Sequence, residues 1–446
     1  MKFFEAFSFS KNKLNGVMKL DKVNRSSIWV SYIICTVFLA YQYMLRVLPN
    51  NLMPVLTEKF HVGASAYGQF SGVYYIGYTL MHIPVGIILD RFGPKWILPL
   101  CMMMTGLGIL PPLYAEHWPE LYGSHWIYPV IGRFIMGMGS SAAVLGLFKI
   151  IKIGFGDDKF TTMLGLSVTI GLLGACYGGQ PISYLFQICP WEDVLLVLAI
   201  FGFILAVITF FTTPAQSNAS TDAMTVLKDV IGVMTNVKIL GLCLLGGLMV
   251  GPLEGFADVW GKVFLLKVYA FTDNQSAFLP SLIFMGMCVG ATLLSYIANV
   301  TKAYYEILFF SALLMGLAFI LLLTGQMNFY VLVFLFFGIG VLCAYQILLI
   351  YKATTYASGH MISLTSACAN MIIMIFGYFF HTVIGKLMEY FWDGEIVAET
   401  PVYKADDFIA SLSVIPLCLM IAACFLFYIM LKHRKKIRYE LKVAEG

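Results

Sequence analysis

Twelve long apolar stretches divide this chain, and the polar segments between them are too short to fold by themselves. The stretches run over about 28–56, 67–89, 96–114, 127–151, 161–187, 192–212, 238–264, 276–298, 304–324, 328–351, 362–388 and 408–431. A helix needs ~20 apolar residues to cross the hydrocarbon core of a bilayer. Backbone groups there find no water, so a spanning segment must satisfy them internally, as a helix or in a closed barrel. Runs this long select helices. The expected fold class is an all-α membrane protein with twelve transmembrane helices, with the lipid bilayer as its main partner. Charged residues make up only 12% of the chain, against ~25% in soluble chains, and the connections leave no room for a soluble catalytic domain.

Basic residues orient the helices. With both termini cytoplasmic, 21 of the 28 Lys and Arg lie inside, five lie outside, and Arg46 and Arg133 sit within spans. The net charge of +4 then reflects topology, and no nucleic-acid partner is expected. The tail Lys432-His-Arg-Lys-Lys-Ile-Arg438 reads as a helix-end anchor at anionic lipid. No apolar region with a small-residue cleavage site follows the basic N-terminus, so no cleaved signal peptide is expected. The ten cysteines lie mostly in apolar stretches without Cys-x-x-Cys or Cys/His spacing. No disulfide, metal or other cofactor is expected.

The polar break at 213–237 divides the chain into a tail (1–27), a first half (28–212), a linker (213–237), a second half (238–431) and a basic tail (432–446). Weak repeats support two halves. Gly86-x-x-x-Asp90 recurs as Ser295-x-x-x-Asn299, offset by 209, and Gly137-Met-Gly139 recurs as Gly338-Ile-Gly340, offset by 201. Duplicated six-helix halves with a site between them are a transporter architecture.

The segment Pro84-Val-Gly-Ile-Ile-Leu-Asp-Arg-Phe-Gly-Pro-Lys-Trp96 is a short polar hairpin between two spans. Gly86, Asp90, Arg91, Gly93 and Lys95 match, in register, the Gly-x-x-x-Asp-Arg-x-Gly-x-Lys loop between helices 2 and 3 of the major facilitator superfamily, which this chain resembles over essentially its full length. The resemblance implies the major facilitator fold, two pseudo-symmetric six-helix halves, and a carrier in place of an enzyme. It also implies that Asp90 faces the start of helix 11, near Ser363, as a latch closing the cytoplasmic side. Arg133-Phe-Ile-Met-Gly137-Met-Gly139 resembles the family's Arg-x-x-x-Gly-x-Gly. That Arg either tunes a proton site or bonds carbonyls between helices. Antiporters of the family carry Gly-Pro-x-x-Gly-Gly in span 5. Here Gly174-Ala-Cys-Tyr-Gly-Gly179 has Ala175 at the Pro position, which weakens a drug-efflux reading.

Span 1 places Arg46 eight residues before Pro54, a spacing similar to that of family members that grip organophosphates and organic anions. A guanidinium binds a carboxylate or phosphate in a two-pronged manner. In span 7, Glu254, Asp258 and Lys262 recur every four residues and share a helix face. Asp258 and Lys262 read as an ion-pair ladder at the outer helix end, with Asp258 a second proton candidate beside Glu254. Offset by 209, Arg46 maps beside Glu254, so the two should approach one cavity. Gln42 and Asn50 share the face of Arg46, and Tyr74, Tyr78, Gln180, Tyr345, Gln346 and Asn370 are further candidates to line the cavity; His381 is a lone titratable group. Leu45-Arg46-x-x-Pro49 and Trp260-Gly261 look like a bacterial branch of unassigned solute transporters, loosely similar to the lysosomal dipeptide uniporter branch.

The expected function is transport of a small carboxylate-bearing solute (amino acid, dipeptide or organic anion) by alternating access. Arg46 would hold the carboxylate, Glu254 would bind either a proton or a substrate ammonium group, Asp258 and Arg133 are the further candidates for proton coupling, and a proton is the candidate coupling ion. A drug/proton antiporter is the alternative. A monomer in a bacterial inner membrane is the expected form.

Overall fold

The computed structural model describes residues 25–215, 223–358, 361–397 and 399–445. The expected N-terminal tail and the middle of the linker lie outside them. Among the described residues, twelve helices are long and apolar enough to span a membrane. They are Ser26–Val47, Ala64–Phe92, Pro94–His117, Ile127–Gly156, Asp158–Ile188, Trp191–Thr212, Val237–Val268, Asp273–Thr301, Tyr304–Leu322, Phe329–Thr354, Leu364–Phe391 and Ala405–Lys435, here spans 1 to 12. Apart from the end of span 1, their limits agree with the sequence expectation to within five residues. Span 1 stops at Val47 because a new helix, Pro49–Phe60, begins with proline at its first position, where the missing N–H costs nothing. The linker and the spans' even-numbered connections share one end of the bundle, the linker end; the opposite end is called the far end.

The halves repeat the same backbone contacts. A Cβ at Gly77 would sit 2.3 Å from the Phe134 carbonyl oxygen, and one at Gly286 would sit 2.2 Å from that of Phe337. Likewise Gly137 lies against the carbonyl of Tyr74 and Gly340 against that of Ile283, each 2.1 Å from an added Cβ. Spans 2 and 8 are thus related by an offset of 209, as expected. Spans 4 and 10 are related by 203, and Gly340 is the counterpart of Gly137. The Gly-x-Gly echo read from the sequence was two residues out of register, because a second nearby glycine satisfied the pattern without making the contact: a Cβ at Gly338 would meet nothing within 4 Å. Small residues here let helices meet backbone to backbone.

The linker is not wholly polar. Residues Ala223–Met234 form a helix whose Val226, Val230, Val233 and Met234 fall at helical spacing. They pack on Ile239 and Cys243 of span 7 and on Cys368 and Ile372 of span 11. Burying this stripe fixes the linker to the second half, a placement that the surrounding polar residues concealed.

Candidate functional site

The site begins with a proline. Residue 49 has no N–H, so the carbonyl of Leu45, four residues earlier, loses its helical partner. Arg133 of span 4 supplies one: its Nη1 donates to Leu45 O at 2.8 Å and its Nη2 to Arg46 O at 2.9 Å. The guanidinium also lies 4.8 Å from the centre of the Tyr74 ring. Of the two roles expected for Arg133, bonding carbonyls between helices is the one its contacts match. It fixes the backbone from which Arg46 projects.

Arg46 reaches across to span 7, where Gly251–Trp260 is a π-helix, a form often found at functional sites. Its i→i+5 ladder holds more than four residues per turn, so residues four apart nearly eclipse. Glu254 and Asp258 therefore both face Arg46. Arg46 Nη1 lies 3.3 Å from Glu254, and Nε lies 3.0 Å from Asp258 Oδ2. The Nε–H is not aligned for a hydrogen bond, so the second contact is mainly electrostatic. The Tyr75 hydroxyl lies within hydrogen-bonding reach of both acids, touching Glu254 Oε2 and standing 2.5 Å from Asp258 Oδ2. Tyr43 places its ring centre 4.7 Å from the guanidinium. Arg46 is 4% exposed and both acids are fully buried; charges so placed persist only when paired. His381 Nε2 meets the Glu254 carbonyl at 2.5 Å, and its ring packs edge-on against Tyr75.

The expected approach of Arg46 and Glu254 is realised as direct contact. The ladder reading of Asp258 and Lys262 is overturned, since both are buried. Asp258 joins Arg46. Lys262 Nζ bonds Asp273 Oδ1 at 2.8 Å, Ser183 Oγ at 2.9 Å and Asn51 Oδ1 at 3.1 Å. The error has a physical source: the first half packs over this end of span 7 and removes the solvent that a ladder presupposes.

Gln42 accepts a hydrogen bond from the Tyr74 hydroxyl at 2.7 Å, and Tyr78 stacks on Tyr74 and approaches Asn370. Asn50 is taken up by the opposite half, donating to Ala257 O at 3.2 Å and accepting from Lys262 N–H at 3.0 Å. The Tyr345 hydroxyl donates to Gly246 O at 2.7 Å and ties span 10 to span 7. Gln180 opens the short helix Gln180–Ile188 near the far end, level with Asn51. Arg46 Nε and Nη2, Asp258 Oδ1, His381 Nδ1 and Gln346 Nε2 are among the buried polar atoms that have no protein hydrogen-bond partner among the described residues. Sequence reasoning missed Tyr75 and Asn51. Each adjoins a residue that was singled out, and only the packing of the halves decides which neighbour faces across.

In the hairpin loop, Gly93 has φ +82, a conformation glycine adopts freely. Asp90 pairs with Lys149 of span 4, 2.7 Å away. It is thus engaged within its own half; the side chain of Ser363 at the start of span 11, where the latch contact was expected, lies outside the described residues. Arg91 is exposed, Lys95 lies 5.7 Å from the Phe210 ring centre, and a Cβ at Gly86 would find only ordinary contact with Leu145.

The sequence model of the Major Facilitator Superfamily matches residues 33–378. The chain belongs to this superfamily. It is 25% identical over 184 residues to the uncharacterized transporter YybO of Bacillus subtilis, covering 41% of this chain and 40% of that protein. It is 23% identical over 167 residues to the 4-hydroxybenzoate transporter PcaK of Pseudomonas aeruginosa, covering 37% and 35%. The matched regions thus span well under half of these relatives. The fold is similar to that of a bacterial homolog of the human lysosomal transporter Spinster in an inward-facing, occupied conformation, with TM-score 0.68 and 15% identity over 92% of this chain and 97% of that one. It is also similar to the nucleoside transporter NupG, with TM-score 0.71 and 14% identity over 91% and 99%. The protein is a multi-pass membrane protein of this superfamily.

Proposed function

We propose that this transporter carries a small organic acid together with a proton by alternating access, with Arg46 as the carboxylate site and Glu254 and Asp258 as the proton site. The observation that carries the reading is the sharing of one phenol between two acids. Tyr75 has a single hydroxyl proton, yet its oxygen lies in hydrogen-bonding reach of a Glu254 oxygen and an Asp258 oxygen. The phenol can donate fully to only one of them, and we place a second proton between the two carboxyl groups and the phenol oxygen. Arg46 is then balanced by one carboxylate and one neutral acid.

A solute carboxylate that takes the guanidinium displaces the remaining carboxylate, which cannot stay charged and unpaired in this buried place. It takes a proton. One negative charge and one proton enter together, and loss of the proton returns the acid to Arg46 and expels the solute. Neither acid is left over for an ammonium group, which favours organic anions over amino acids and peptides. The Tyr43, Tyr74 and Tyr78 rings around the site suit a planar acid, and a carboxylate transporter stands among the relatives. Orientation follows the positive-inside count, with the termini cytoplasmic, and in a bacterium the membrane is the inner one. Asp90 is free to latch the linker end to span 11 once Lys149 releases it.

The test is uptake into proteoliposomes of 4-hydroxybenzoate, benzoate, succinate, alanine and dialanine, with and without an inward proton gradient. Acid uptake driven by the gradient and lost in Arg46→Ala and Glu254→Gln supports the reading. Saturable acid uptake unchanged in both variants refutes it. Proton-driven export of lipophilic cations that ignores Arg46→Ala would establish an antiporter instead.

A further inference from the structure

The far end of the bundle is closed by polar contacts between the halves. Around Lys262, Asn51 and Ser183 of the first half meet Lys262 and Asp273 of the second, and Gln187 adds a bond to Asp273 at 3.0 Å. A second closure lies between spans 2 and 11. The helix of span 2 starts at Ala64, and its N-cap residue is Gly63, which has no side chain to satisfy the first free N–H groups. The other half satisfies them. Ala64 N–H donates to the Tyr403 hydroxyl at 2.8 Å, and Ser65 N–H donates to Glu389 Oε1 at 2.9 Å. A Cβ at Gly63 would lie 2.5 Å from that Glu389 oxygen and 3.0 Å from the Tyr403 hydroxyl oxygen. The chain forgoes a cap of its own where one would collide with the cap from the opposite half.

We propose that Glu389 and Tyr403 form a removable cap on span 2 that sets how often the far end opens. A permanent cap on the same helix would come from Ser, Thr, Asp or Asn at position 63, where the backbone (φ −82, ψ 178) already has the extended form that such residues use. Glycine leaves the helix end dependent on the other half. When the halves part, the two N–H groups pass to water and the favourable contact of a carboxylate with the helix N-terminus is lost. Tyr403 is presented by the connection between spans 11 and 12. There, Ile396–Val397 pairs with Thr400–Pro401, and Lys404 pairs with Asp393 and Glu395. Burial pushes the Tyr403 phenol up to about 12, so the cap keeps its hydroxyl proton at neutral pH. Losing a helix cap shifts such an equilibrium about five-fold.

The test uses full-length protein in lipid nanodiscs without solute, so its outcome is independent of the transport reading. Spin labels at Tyr122→Cys and Tyr330→Cys, exposed far-end positions in opposite halves, report the separation by pulsed electron resonance. Cys176, Cys189, Cys288 and Cys424 are replaced by Ala in all samples. Glu389→Ala and Tyr403→Phe should each raise the open-to-closed ratio, Glu389→Ala by about five-fold. Gly63→Ser decides the matter, because it supplies a cap in cis while excluding the one in trans. The proposal requires more open molecules with no loss of melting temperature. An unchanged or more closed distribution in Gly63→Ser overturns it, even if the other two variants prove too unstable to measure.

Discussion

Replacing Arg46 by Met removes the cation paired with Glu254 and Asp258 and leaves a side chain of similar length in its place. The N–O separations of 3.0 and 3.3 Å correspond to an attraction of about 5 kcal/mol for whichever acid is ionised, at an effective dielectric constant of ~20. Desolvation of the ion pair offsets most of that gain. What remains on deleting one partner of a buried pair is a loss of about 3–5 kcal/mol. Asp258→Asn alone should cost less, about 1–3 kcal/mol, since Glu254 still pairs with Arg46 and Tyr75 still has an acceptor. The double variant should be less damaged than the two losses added together, by about 2 kcal/mol, because the second change removes a charge that the first left unpaired. Reversible unfolding in mixed micelles at neutral pH, with the four proteins compared under one condition, measures this coupling. Additivity to within about 0.5 kcal/mol would show that Arg46 and Asp258 do not share a charge balance, and the proton exchange inferred from it would fail.

Three further outcomes follow from other parts of the molecule. Arg133→Met should cost stability by about 3 kcal/mol through two lost charge-assisted hydrogen bonds and raise the KM of any transported acid more than it lowers kcat, since the loosened backbone carries Arg46. Tyr75→Phe should keep the fold but weaken the dependence of uptake on a proton gradient at least several-fold, read as the ratio of initial rates with and without the gradient; an unchanged ratio removes Tyr75 from the coupling. Val230→Asp places a carboxylate against Cys243, Cys368 and Ile372 and should free the linker helix, raising protease cleavage between residues 215 and 237 while the twelve spans stay intact.

The twelve spans were legible because the bilayer imposes both their length and their apolar composition, and neither depends on what packs against what. Two halves were legible for a similar reason, as the family's hairpin at Asp90–Arg91 and its faded counterpart at Ser295–Asn299 kept their spacing. Arg46, Glu254 and Arg133 stood out because an ionised residue within a span has few reasons to exist. Of their partners, the repeat offset made only the approach of Arg46 and Glu254 legible. Whether Lys262 faces water or a buried carboxylate depends on the first half covering that end of span 7. Which of Tyr74 and Tyr75 meets Glu254 depends on how span 2 turns against span 11, and a helix carries no mark of its own rotation. The shared face of Glu254 and Asp258 was legible from their spacing, but the π-helix at Gly251–Trp260 that carries them left no recognisable pattern in the sequence. The sequence by itself determined the solvent each segment requires, and hence the number of helices and the residues too costly to be incidental. Only the tertiary structure decided which charges neutralise which, because that balance is struck between helices more than two hundred residues apart, as with Arg46 and Asp258.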